Sequence, residues 1–218
     1  VTISKNPSGQ YFASILIETE INHKQKTNKE VGLDLGIKTF STQSDGIEIS
    51  NPKFLNKNQV KLRRLQQHLS RKVKGSNRRN KCRLKIAKLH QKIINQRDWF
   101  LHNYSTQLIN NYDKIYIEDL NVSGMVKNHN LALAISDCGW GMFRQFLEYK
   151  VKDLRVIGRF EPSSKLCNIC GDINYDLKLS DRKWTCSNGH ELDRDVNAAI
   201  NIKNFGLRAS TLNANVNH

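Results

Sequence analysis

Two cysteines in a CxxC pair, Cys167 and Cys170, are followed after fifteen intervening residues by Cys186 and, four positions further on, by His190. That spacing constrains the chain more than any other feature, because it belongs to structural zinc ribbons. Each half is a tight turn, Cys-Asn-Ile-Cys-Gly and Cys-Ser-Asn-Gly-His, so two soft donors can face inward from each side of a tetrahedron. Gly171 and Gly189 supply the backbone freedom that such knuckles need. Four protein ligands leave no open position, which makes the expected zinc structural rather than catalytic. The fourth ligand is His190, or water if that histidine stays in solvent.

The net charge of +15 lies in one place. Ile49 to Arg97 holds sixteen Lys or Arg and no Asp or Glu, which leaves nineteen bases against twenty acids elsewhere. An uncompensated basic block is the footprint of a polyanion partner, and without an aromatic-rich amphipathic anchor that partner is nucleic acid rather than membrane. No apolar run approaches a membrane span. The two remaining cysteines, Cys82 and Cys138, suggest no disulfide framework, so a reducing, cytoplasmic setting is expected. The first residue is Val1, which suggests an excerpt or a processed piece.

Periodicity predicts a β-hairpin over residues 1–20, turning at Asn6-Pro7-Ser8-Gly9, then a polar linker over 21–30. Val31 to Gly36 reads as a strand with Asp34 at its centre; strands over 38–43 and 47–50 flank the turn Ser44-Asp45-Gly46. Residues 52–110 read as a helical hairpin broken at Gly75-Ser76-Asn77. Leu62, Leu65, Leu69 and Val73 form one apolar stripe, and Leu84, Leu89 and Ile93 another. Lys61, Arg64, Arg71, Lys72, Arg78, Arg79, Lys81 and Lys85 are expected to stay in water and meet phosphates. Trp99, Phe100 and His102 are expected to close the second helix as core and cap residues. Lys114 to Leu120 reads as a strand ending in Glu118 and Asp119, 122–136 as a mobile loop, 141–151 as a helix and 154–160 as a strand. A last helix opens at Asp193-Arg194-Asp195 and is expected to stop at Gly206.

Asp34, Glu118 and an aspartate opening the last helix are three acids at element ends, beside a basic surface. Buried carboxylates need a counter-ion. Hard oxygen donors left partly open suit Mg²⁺ or Mn²⁺, and a pair of such ions performs phosphodiester hydrolysis.

VGLDLGIKTF, KIYIEDLN, SDCGWG, and CNIC followed by CSNGHELDRDVNAAIN resemble the TnpB family, transposon-encoded nucleases related to compact type V CRISPR effectors. The resemblance covers residues 31–206. It implies an α/β fold, the RNase H-like (RuvC) mixed sheet, with a long basic helical hairpin insertion and a zinc-ribbon insertion. The strands bearing Asp34 and Glu118 would lie side by side. Relatives with a single acid in the last motif keep its second position, so Asp195 becomes the third magnesium ligand and Asp193 a cap or outer partner.

The implied organisation is a hairpin over 1–20 ending an upstream wedge-like domain, a linker over 21–30, and a nuclease core over 31–165 that includes the basic hairpin 52–110. A zinc-ribbon module over 166–190, the last core helix over 191–206 and a tail over 207–218 complete it. The implied function is a metal-dependent DNA endonuclease, RNA-guided when complete, with DNA as substrate and a guide RNA from the transposon end as partner. The chain departs from many relatives in having CSNGH instead of a second CxxC. Two other functions fit the same residues: a non-catalytic nucleic-acid-binding protein, and a strand-transfer transposase on the same fold.

Overall fold

In the computed structural model, which describes residues 1–18, 27–178 and 180–215, runs of β-branched and apolar residues become strands where the pattern predicts them. The chain divides into two units, Val1–Gln25 with Lys53–Leu101, and Lys26–Pro52 with His102–His218. Of the linker expected over 21–30, residues 21–26 lie outside the described residues, and Glu30 already belongs to a strand.

In the first unit, β1 (Thr2–Lys5) and β2 (Tyr11–Ser14) form an antiparallel hairpin with Thr2 opposite Ser14. It is followed by α1 (Phe54–Ser70), and α2 (Asn77–Asn111) contributes its residues as far as Leu101. Leu62, Leu89 and Ile93 make the small core between the helices, with Phe54, Leu55, Leu65 and Ile86 packed against it. Val73 and Leu84 remain exposed. The α1–α2 break occurs where Gly75 takes a φ of 82°, a left-handed conformation that favours glycine. Arg79 differs from the sequence expectation. Its guanidinium donates to the Leu69 carbonyl at 2.9 Å and the Lys72 carbonyl at 3.1 Å, satisfying carbonyls at the end of α1.

The second unit is built on a five-stranded mixed sheet ordered β5-β4-β3-β6-β7. Its strands are β3 (Glu30–Leu35), β4 (Thr39–Gln43), β5 (Glu48–Ser50), β6 (Lys114–Glu118) and β7 (Asp153–Ile157). β3, β4 and β5 pair antiparallel, while β3–β6 and β6–β7 pair parallel. β3 and β6, the two inner parallel strands, carry the buried runs Val31–Leu33 and Ile115–Ile117, whereas the edge strand β7 alternates charged and apolar residues and is mostly half-buried or exposed. Phe40, Tyr104 and Phe143 pack as an aromatic cluster with centroids 5.3 to 5.9 Å apart.

Two expectations over this unit are corrected. Residues 122–136, read as a mobile loop, form α3 (Val122–Met125) and α4 (His129–Cys138). The polar residues that suggested a loop are caps: Asn121 accepts from the Gly124 N–H, and Asn128 from the Asn130 N–H. Gly139, with φ at 71°, then turns the chain into α5 (Trp140–Lys150). Gly206 does not stop the last helix either, since α6 runs from Arg194 to Asn215. Gly206 is a packing residue. A Cβ there would lie 2.1 Å from Cδ1 of Tyr116, so only glycine lets the helix lie this close to the sheet.

Among the described residues no helix is long and apolar enough to cross a membrane.

Candidate active site and metal-binding module

β3 and β6 are in register, with Gly32 opposite Tyr116 and Leu33 opposite Ile117. Gly32 and Tyr116 face α6: a Cβ on Gly32 would meet the main chain of Ala199 and Lys203, and the Tyr116 ring lies against Gly206. Side chains alternate along a strand, so Asp34 and Glu118, two residues further on, share that face at neighbouring positions. α6 begins at Arg194, which brings Asp195 to the same end of the sheet.

The electrostatics register this convergence. The Asp34 carboxyl is pushed up to about 7, first by burial, then by the charges of Asp195 and Glu118, with Arg194 and Arg182 opposing. Glu118 is also raised, by burial and by its neighbour Asp119. Among the described residues no donor hydrogen-bonds either carboxylate. Asp195 is different: Arg182 holds it in a short ion pair and Arg194 in another at 3.1 Å. The three carboxylates do not close into a tight ligand cluster; among the described residues only the Cys/His group does that.

Asp193 caps α6, accepting from the N–H groups of Asp195 at 3.0 Å and Val196 at 3.1 Å. Asp119, beside Glu118, is clamped by Arg144 at 2.8 Å and Arg159 at 2.6 Å, which hold its carboxyl below the usual range. The sequence expectations did not include Arg182 or the Asp119 clamp. A basic residue two positions before the buried Trp184 was the available signal for Arg182, and it does not by itself name a partner.

Cys167, Cys170, Cys186 and His190 place their ligand atoms within 4.8 Å of one another. The Cys186 Sγ and His190 Nδ1 are 3.2 Å apart, and the two sulfurs of Cys170 and Cys186 3.7 Å. Both knuckle glycines have positive φ, 79° at Gly171 and 83° at Gly189. The Cys170 thiol is brought down to about 6 by hydrogen bonds from the Asn188 side chain and the Asp172 backbone, whereas burial raises Cys167. β8 (Lys183–Thr185) and β9 (Glu191–Asp193) pair antiparallel, and Trp184 and Leu192 pack on Cys167 and Cys186.

Two asparagines of α6 hold this module in place. Asn197 accepts from the Asn168 N–H at 3.0 Å and donates to the Leu166 carbonyl at 2.8 Å. Asn201, one helical turn on, donates to the carbonyls of Ser163 at 2.8 Å and Leu166 at 2.6 Å. Both are buried. Their spacing of four residues in DRDVNAAIN was the sequence signal for one polar face.

The basic residues lie on the first unit. Lys61, Arg64, Arg71, Arg78, Lys81 and Lys85 are exposed, and Lys72 and Arg79 are half-buried.

Residues 14–129 match the OrfB_IS605 family, described as "Probable transposase", and residues 140–202 match the "Cas12f1-like, TNB domain". A Streptomyces pristinaespiralis protein named "Putative RNA-guided DNA endonuclease" is 44% identical over 214 residues, 96% of this chain and 53% of that protein. An Escherichia coli K12 protein, "Putative RNA-guided DNA endonuclease InsQ", is 36% identical over 224 residues, 93% of this chain and 55% of its own length. The chain thus spans about half the length of the curated relatives it matches. Among solved structures, the Cas12f1 chain of a complex with sgRNA and target DNA aligns with a TM-score of 0.53 at 17% identity, over 82% of this chain and 40% of that one. The fold is therefore a mixed α/β architecture of the kind found in Cas12f1. The chain belongs to the TnpB family.

Proposed function

We propose that this chain is the nuclease core of a metal-dependent DNA endonuclease, guided by RNA in the complete protein. In this reading the sheet β3 to β7 with α6 is RNase H-like (RuvC), the α1–α2 hairpin and the zinc-ribbon module are insertions into it, and residues 1–20 end an upstream wedge-like domain. The observation that carries the proposal is the β3–β6 register, which sets Asp34 beside Glu118 at the end of the sheet where α6 opens with Asp195; the rise of Asp34 to about 7 under their charges supports it. Carboxylates from three distant stretches of chain repel at one half-buried point, Arg182 and Arg194 offset this only in part, and a cation joining the three would relieve the rest.

The donor set fits Mg²⁺ or Mn²⁺: carboxylate oxygens only, with neither thiol nor imidazole among them. Asp34, Glu118 and Asp195 would hold the ions. When bound, a pair of divalent ions supplies an activated water and neutralises the leaving oxygen in phosphodiester hydrolysis. Asp34, fixed mid-sheet, sets the position of the site, and the Arg144–Asp119–Arg159 clamp steadies the strand end that carries Glu118. Arg182 pairs with Asp195 in this structure, and its partly exposed guanidinium would suit a substrate phosphate if a cation took its place on that carboxylate. Lys61, Arg64, Arg71, Lys72, Arg78, Lys81 and Lys85 form the basic hairpin that positions phosphates without reading bases, while Arg79 closes the end of α1. The names of the relatives support DNA as substrate and RNA as guide.

Manganese-dependent cleavage of labelled single-stranded DNA, with co-purifying RNA retained, tests the proposal. Asp34→Ala is expected to lower the rate at least about a hundredfold. Cleavage that persists in that variant would overturn the assignment.

Cys167, Cys170, Cys186 and His190 would hold one structural Zn²⁺, since the ligand atoms are gathered, both knuckle glycines are in place, and one thiol already titrates near 6. Stripping the metal with a strong chelator is expected to unfold the β8–β9 ribbon and shift the emission of buried Trp184 to the red. Unchanged emission and an unchanged melting temperature after metal removal would exclude a zinc-dependent module.

A further inference from the structure

The sequence reading made Trp99 a core or cap residue, but its side chain is 71% exposed, whereas Trp140 and Trp184 are buried. It stands on α2 and lines a cavity of about 840 Å³, a size within the range of ligand pockets. Phe54 adds an apolar wall, and the β1–β2 turn closes one side through Ser8, Gly9 and Gln10. That wall is pre-formed, because the Asn6 side chain donates to Gln91 Oε1 at 2.8 Å and so pins the turn onto α2. Lys88 and Lys92 line the cavity, and among the described residues no carboxylate does. Gln96 also lines it, and among the described residues its buried Oε1 has no hydrogen-bond partner. A buried acceptor left unpaired is costly and marks a place where a donor belongs.

We propose that this cavity takes one unpaired base of a single-stranded nucleic acid. The base stacks on the Trp99 ring, an N–H on its edge donates to Gln96 Oε1, and Lys88 and Lys92 meet the flanking phosphates. An aromatic platform between lysines is how single strands are held without regard to sequence. Every base carries an N–H or amino donor, so the site accepts DNA and RNA alike in its chemistry. This inference rests on the nucleic-acid-binding reading above and adds to it a site that engages bases, where the basic hairpin engages phosphates.

Trp99 is the exposed tryptophan of three, so a bound strand quenches its share of the intrinsic emission, and Trp99→Leu gives the background from buried Trp140 and Trp184. The chain would be titrated with labelled oligothymidylate, with oligouridylate, and with an abasic strand of equal length, reading tryptophan emission and anisotropy together at low and high salt. The base-bearing strands are expected to quench the emission, and the abasic strand to bind without quenching. Added salt should weaken all three. Trp99→Leu should remove the quenching and weaken the base-bearing strands about tenfold, leaving the abasic strand unchanged. The ring is mostly in water, so the variant keeps its fold. The two base-bearing arms decide whether RNA or DNA is the better occupant. Strands that bind without quenching, or a Leu variant with unaltered affinity, would overturn the cavity assignment and leave the basic surface standing. No binding of any strand at low salt would overturn both.

Discussion

Replacing Asp34 with asparagine is expected to make the metal-free protein more stable at pH 8 while abolishing its response to divalent ions. In the folded chain this carboxyl titrates at about 7, against an ordinary value of 3.8. Between those values the folded state holds a proton that the unfolded state has released, so each rise in pH favours unfolding. The stability contributed by the neutral carboxyl is complete below about pH 4 and is lost as pH climbs through 7. The unscreened upper bound is about 4 kcal/mol, and water reaching a half-buried group reduces that to about 1–3 kcal/mol. The amide of the Asp34→Asn variant does not titrate. Thermal melts should therefore coincide near pH 4 and separate by about 3–10 °C at pH 8, with the variant higher. Millimolar Mg²⁺ or Mn²⁺ should raise the wild-type curve towards it and leave the variant unmoved, as expected of a ligand that binds only the native carboxylates. A wild-type protein more stable than the variant at pH 8 without metal would contradict the strain assigned to this site.

Gly32→Ala is expected to be the most damaging small substitution in the sheet. The added Cβ would lie 2.1 Å from the Ala199 carbonyl oxygen and 2.8 Å from the Lys203 nitrogen. Both are main-chain atoms of α6, which cannot swing aside as a side-chain tip can. The helix must move off the sheet, and with it Ala198, Ala199 and Ile202, all fully buried. A loss of about 3 kcal/mol or more follows, at the upper end of overpacking costs. The same displacement carries Asp195 away from Asp34, so metal-dependent stabilisation should fall along with the melting temperature. Gly141→Ala is the control. Nothing lies within 4 Å of its added Cβ, and it sits inside α5, where alanine is favoured by about 0.5–1 kcal/mol. Equal effects of the two substitutions in urea denaturation would contradict the close approach of β3 and α6.

Much of this protein was legible in its residue order because the signals were local. The Cys/His spacing, the acid-free stretch from Ile49 to Arg97, the Asp-Gly turn and the apolar runs of β3 and β6 are set by neighbours a few positions apart. The structure has strands and helices at those places and gathers the four Cys/His side chains. The sequence reading failed where a local signal had two meanings. Asn121 and Asn128 looked like loop residues and are helix caps. Gly206 looked like a helix stop and is a contact with the distant Tyr116 ring. Trp99 looked like core and faces water.

What only the tertiary structure decided is which acids meet and what else touches them. The register of β3 on β6 sets Asp34 beside Glu118, and the absence of a side chain at Gly32 lets α6 approach with Asp195. The ion pair between Arg182, just before β8, and Asp195 in α6 spans 13 positions, so no spacing rule predicts it. Residue chemistry determines which groups repel, ligate or pair, and it is written in the chain. The distance between groups far apart in sequence is set by packing, which depends on the shapes of all the surfaces brought together.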